Sequence, residues 1–129
     1  MRRRSLIPAL ALVVGTLSGC SSEPIAPTGA TLDVSFSTTA DDDGAVLFTI
    51  SGGSVDSVEA TGLALYSAQI DASTLRVILV GDLSSGKIAR IHIADERRLS
   101  QYSATINQVA ARRSYAQRDP LSYSLTVAH

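Results

Sequence analysis

From Thr31 onward the apolar residues recur at every second position, and that spacing confines the chain to sheets. A period of two is that of a pleated strand, whose side chains alternate between faces, whereas a helix repeats every 3.6 residues. Thr31-Leu32-Asp33-Val34-Ser35-Phe36 places Leu32, Val34 and Phe36 on one face. After the acidic loop Asp41-Asp42-Asp43-Gly44, the run Ala45 to Ile50 is continuously apolar and stops at Ser51-Gly52-Gly53. Val55 and Val58, with Asp56 and Glu59 as polar partners, mark a third segment. Leu63 to Ile70 is a fourth and Leu75 to Val80 a fifth, which turns at Gly81 to Gly86. Ile88, Ile91 and Ile93 belong to a sixth strand, with Arg90 and His92 opposite. Tyr102 to Ile106 and Tyr123 to Val127 complete the series. Seven to nine short strands separated by Gly, Ser and Asp predict an all-β fold, a two-sheet antiparallel β-sandwich of immunoglobulin-like type. Only Gln108 to Gln117 has a helix-forming composition, from Ala110 and Ala111, and a loop or bulged strand end is the expectation there.

The stretch from about Thr31 to Val127 resembles the cohesin-type sandwich of secreted carbohydrate-active systems. Gly44-Ala45-Val46-Leu47-Phe48 is similar to a family strand that follows a loop. Arg76 to Val80, then Gly86 to Ile93, resemble paired strands in which a Gly turn precedes an alternating apolar ladder. The likeness is one of rhythm and turn placement. Cohesins bind dockerins and relatives of the fold bind polysaccharide, so the resemblance implies a binding module and assigns no contact residue.

The N-terminus carries a different signal. Arg2, Arg3 and Arg4 precede an apolar stretch from Leu6 to Leu17, and Leu17-Ser18-Gly19-Cys20 follows. A basic start, a short apolar run and small residues at a cut are the parts of a secretory signal. The run is shorter than the roughly 20 residues of a bilayer span, and Pro8 disfavours a helix there. Leu-Ser-Gly-Cys resembles the lipobox of bacterial lipoproteins, which implies that residues 1–19 are removed and that Cys20 is acylated. Ser21, in place of aspartate, implies sorting to the outer membrane. Cys20 is the sole cysteine, so no disulfide is expected and the hydrophobic core must hold the fold alone. Residues 20–29, with Pro24, Pro27 and Gly29, read as a tether. The expected domain is 30–129, about 100 residues and one core. Without the signal arginines, 8 of the 11 Lys and Arg remain against 12 Asp and Glu, a net charge of about −4. That balance excludes a nucleic-acid binder, which needs a basic face.

Catalytic constellations are not assembled by this sequence. His92 and His129 are the only histidines, and His92 reads as an ordinary residue of an alternating strand. There is no Gly-x-Ser-x-Gly and no thiol beyond Cys20. The histidines are too few for zinc. Asp95-Glu96 are chain neighbours rather than the opposed pair of a glycosidase. The expectation is no enzyme, with a small hydrolase ranked last, and no cofactor beyond a calcium candidate. That candidate is Asp41, Asp42 and Asp43, whose crowded carboxylates a hard cation would relieve. The plainer reading is a solvated loop that keeps a sheet edge from pairing. A binding candidate is the set Arg97, Arg98, Arg112, Arg113 and Arg118 with Tyr102, Tyr115 and Tyr123, the residue types that most often anchor interfaces. Its plainer reading is a charged loop, with tyrosines closing the sandwich. The sequence therefore predicts an envelope lipoprotein, held to the membrane through Cys20, that serves as a protein-interaction or structural module. The alternative is a carbohydrate-binding module whose partner is an envelope polysaccharide.

Overall fold

A computed structural model describes residues 27–129; the signal segment, Cys20 and the first part of the tether lie outside the described residues. The chain forms β1 (Ala30–Ser37), β2 (Asp43–Ser51), β3 (Ser57–Glu59), β4 (Ala64–Asp71), β5 (Thr74–Val80), β6 (Gly86–Ile93), β7 (Ser103–Ala111), β8 (Gln117–Arg118) and β9 (Ser124–Ala128). Short 3-10 turns at Glu96–Gln101 and Pro120–Ser122 precede β7 and β9. The strands make two antiparallel sheets, in the orders β3-β6-β1-β9 and β4-β5-β2-β7-β8. The fold is the two-sheet sandwich expected from the alternation. No helix of the described residues is long and apolar enough to cross a membrane.

The core lies between the sheets and follows the period of two. Val34 and Phe36 of β1, with Ile91 and Ile93 of β6, face Val46, Phe48 and Ile50 of β2 and Val77 and Leu79 of β5, all buried. Burying each such side chain contributes about 1.5–3 kcal/mol. Two bulges repair places where the sequence slips out of phase. In β7, Gln108 pairs with Leu47 but Ile106 pairs with Phe48, which leaves Asn107 as an extra residue. The extra residue turns both Ile106 and Val109 inward, although they are three apart. The Asn107 carboxamide oxygen accepts from the Thr49 hydroxyl at 2.6 Å. In β6, Ala89 pairs with Val34 and Lys87 with Ser35, so Ile88 is the extra residue and both Ile88 and Ala89 are buried.

These bulges also decide the one ambiguous stretch. Gln108 to Ala111 continues β7, and Arg112–Ser114 then turns the chain into β8. The Ala pair lies in a strand rather than a helix because Val109 and Ala111 complete the inner row of β7. The third segment is a strand only over Ser57–Glu59, while Val55 packs against the core from the preceding loop. At the far end of β2, Gly52 has φ +116° and sits against the Gln101 carbonyl, a position no side chain could occupy. There Tyr102 enters the core, and its hydroxyl donates to the Ser54 carbonyl at 2.5 Å.

Candidate interaction surface

The outer faces of the two sheets differ in chemistry. On the β3-β6-β1-β9 face, cross-strand neighbours are polar: Thr31, His92 and Ser57 form one row, and Asp33, Arg90 and Glu59 the next. Lys87 and Arg90 reach Asp33 at 3.0 and 3.5 Å. The Lys87 hydrogen bond holds the Asp33 carboxyl below its usual value. His92 lies opposite the buried Ile91 and Ile93, as alternation requires, and contacts Thr31 at 3.2 Å and Glu59 at 3.4 Å. Asp33, Lys87 and Arg90 on this face pair with one another.

The β4-β5-β2-β7-β8 face is apolar at its centre. Tyr66, Ile78 and Leu47 lie side by side across β4, β5 and β2, and Ala64, Val80 and Ala45 make the next row. Gln108 and Ala110 of β7 continue these rows toward Gln117 of β8. Tyr66 is 63% exposed, Ile78 39% and Val80 42%. A shallow depression lined by Ala45, Leu47, Ile78, Gln108, Ala110 and Gln117 crosses the face. Ala45 and Val80 also line a neighbouring hollow with Arg112 and Tyr115. Tyr115, 81% exposed at φ +55°, therefore stands at the rim of the same surface. Contiguous exposed apolar residues with a polar rim mark interaction sites on soluble domains.

The three aspartates of the acidic loop diverge. Asp43 is fully buried at the start of β2 and accepts from the Thr38 hydroxyl at 2.6 Å and the Tyr123 hydroxyl at 2.8 Å. Asp42 points outward and takes both bonds of a bidentate pair from Arg118 Nη2, at 2.6 and 2.7 Å. The Asp41 carbonyl accepts from Arg112 at 3.0 Å. Among the described residues no three His, Cys, Asp or Glu side chains converge as a metal would require. The carboxylates of Asp42 and Asp43 are answered by Arg118 and by the Thr38 and Tyr123 hydroxyls of the chain itself.

The arginine and tyrosine set is divided between the two ends of the sandwich. β2 and β7 run antiparallel, with Asp43 beside Ala111 at one end and Ser51 beside Ser103 at the other. Arg97, Arg98 and Tyr102 lie at the Ser51 end. Arg97 pairs with Asp95 at 2.9 Å and Arg98 lies 3.7 Å from it. The Arg97 hydrogen bond holds the Asp95 carboxyl below its usual value. At the Asp43 end, Arg112 pairs with Asp82 at 3.0 Å, Arg118 with Asp42, and Arg113 is exposed on the turn. Tyr123 stacks on Phe36 with centroids 5.5 Å apart, and burial pushes its hydroxyl pKa up. Tyr102 and Tyr123 thus close the core at opposite ends. Of the set, Arg112 and Tyr115 border the apolar face.

Tyr66, Leu47, Ile78 and Val80 were not anticipated as surface residues, yet the sequence carries a signal for them. Val77-Ile78-Leu79-Val80 and Ala45-Val46-Leu47-Phe48 are apolar at consecutive positions, so both faces of those strands are apolar. A two-layer sandwich covers only one face of each sheet, and the surplus must lie on the outside. Comparisons with protein-family models, curated proteins and solved structures return no match.

Proposed function

We propose that this chain is a lipid-anchored, non-catalytic interaction module of a bacterial cell envelope, and that the outer face of β4-β5-β2-β7-β8 is its contact surface. The observation that carries the reading is the row Tyr66–Ile78–Leu47, in which Tyr66 and Ile78 are exposed and Leu47 half-buried, while the opposite sheet presents paired charges. Interface cores are depleted in charge and enriched in aromatic residues, and this face has that composition. The anchor is read from Arg2 to Arg4, the apolar stretch and Leu17-Ser18-Gly19-Cys20. Residues 20–29 span at most about 35 Å when fully extended, which would hold the sandwich close to the bilayer surface. Several acyl chains on one cysteine anchor firmly, at about 0.8 kcal/mol per buried CH2. Ser21 favours the outer membrane as the destination.

A second reading, a carbohydrate-binding module related to the cohesin sandwich, draws on Tyr66 and Tyr115, whose exposed rings border the same face. Three experiments test these readings. Metabolic labelling with a fatty acid should mark the wild-type chain and not Cys20→Ala; an unlabelled wild type contradicts the anchor. Purified full chain in detergent should capture an envelope protein that the Ile78→Arg variant does not. Retention on a polysaccharide that Tyr66→Ala abolishes would favour the second reading instead.

A further inference from the structure

We infer that two copies of this chain join edge to edge through β4, giving one ten-stranded sheet whose outer face carries the apolar rows of both copies. The inference rests on reading that face as an interaction surface and names a second copy as one of its partners.

A sheet edge presents unpaired backbone donors and acceptors, and natural sheets guard such edges with short strands, prolines, lysines or cover. Among the described residues, three of the four sheet edges are short: β8 has 2 residues, β3 has 3 and β9 has 5. β4 has 8 residues, Ala64–Asp71, and all but Leu65 are exposed among the described residues. It contains no proline, lysine or arginine, and its one charge is the terminal Asp71. The strand is regular from Ala64 to Gln69, and Ile70 is an extra residue at the turn into β5.

The edge is complementary to itself. In an antiparallel pair, residues directly opposite share a face. A two-fold axis at Ser67 pairs Ser67 with Ser67, Tyr66 with Ala68, and Ala64 with Ile70 of the other copy. Asp71 of each copy then falls opposite Leu63 of the other, so no like charges meet. The small Ala68 lies next to Arg76 on β5. Beyond Ala68 the row reaches the second copy's Tyr66 and Ile78, which brings the Arg76 guanidinium within reach of that phenol ring. Each copy thereby adds its Tyr66–Ile78–Leu47 row to the other's sheet.

Ser67→Cys in the full chain, treated in isolated membranes with an oxidant or a short bismaleimide, tests the axis. The expected product is a species of twice the mass, formed neither by wild type, which controls for Cys20, nor by Ser124→Cys on β9. Light scattering in detergent should give two copies for wild type and one for Ser67→Lys, with unchanged far-ultraviolet circular dichroism. A wild-type chain that stays at one copy across the micromolar range overturns the dimer, as does a Ser67→Cys chain that does not cross-link. A one-copy chain that still captures an envelope protein through Ile78 overturns the dimer and leaves the wider interaction reading standing. A two-copy chain that captures nothing else does the reverse.

Discussion

The Tyr123 hydroxyl donates to Oδ1 of Asp43 at 2.8 Å, and this bond joins the two sheets at one end of the sandwich. Asp43 opens β2 in the five-stranded sheet, whereas Tyr123 leads into β9 of the other. Thr38, from the loop leaving β1, donates to the second carboxylate oxygen. Arg118 Nε stands 3.7 Å from Oδ1, too far for a hydrogen bond. A fully buried acid is tolerated because donors surround it.

Tyr123→Phe should therefore destabilise the fold by about 1.5–3 kcal/mol, the range for a hydrogen bond to a charged group. Asp43→Ala should cost more, since it strands the Thr38 and Tyr123 hydroxyls together. Urea unfolding of the two variants and their double mutant should show coupling of about 0.5–3 kcal/mol. Additive losses would mean that the bond does not bear on stability.

Phe48→Ala removes a fully buried ring from the middle of the core and should cost about 3–5 kcal/mol. Ile78→Arg, on the same sheet but facing outward, should change stability by less than about 0.5 kcal/mol. Denaturant midpoints measured side by side separate the inner face from the outer one.

Acid should weaken the domain through carboxylates whose pKa is lower in the folded chain. Asp33 is held below 3.8 by the Lys87 hydrogen bond, Asp95 by that of Arg97, and Asp71 by the Ser73 amide in the β4–β5 turn. A depressed folded pKa gives stability that is complete above 3.8 and lost as pH falls through the lower folded values. Unfolding free energy from these groups should thus be flat from neutral pH to about pH 5 and decline below about pH 4. Lys87→Met should reduce that decline by removing the cause at Asp33.

At the alkaline end the sign reverses. Burial raises the Tyr102 and Tyr123 hydroxyls above 10.0, and the Asp43 carboxylate beside Tyr123 adds to the second. The neutral phenols favour the fold, and that contribution is complete below 10.0 and lost as pH rises through the raised values. Ultraviolet titration should show late-ionising tyrosines, and Tyr102→Phe and Tyr123→Phe should each remove one.

The period of two made the sandwich legible, because each inner row is written out in residues such as Leu32, Val34 and Phe36. Asn107 and Ile88 were less so, since a bulge leaves only a slip of phase that mimics a strand end. β8 was invisible, as Gln117 and Arg118 carry no pattern in two residues. The division of the arginines was equally hidden. Arg98 and Arg112 are close in sequence, yet the length of β7 carries them to opposite ends. The acidic loop reads as one cluster along the chain, and only folding separates the buried Asp43 from the outward Asp42.

The contact surface itself is tested most directly by a photo-crosslinking side chain at Ile78, compared with one at Thr31 on the polar face, in living cells. Specific adducts from Ile78 and none from Thr31 are the predicted result. Equal labelling at both positions, or no adduct at Ile78, would contradict an interaction module that works through this face.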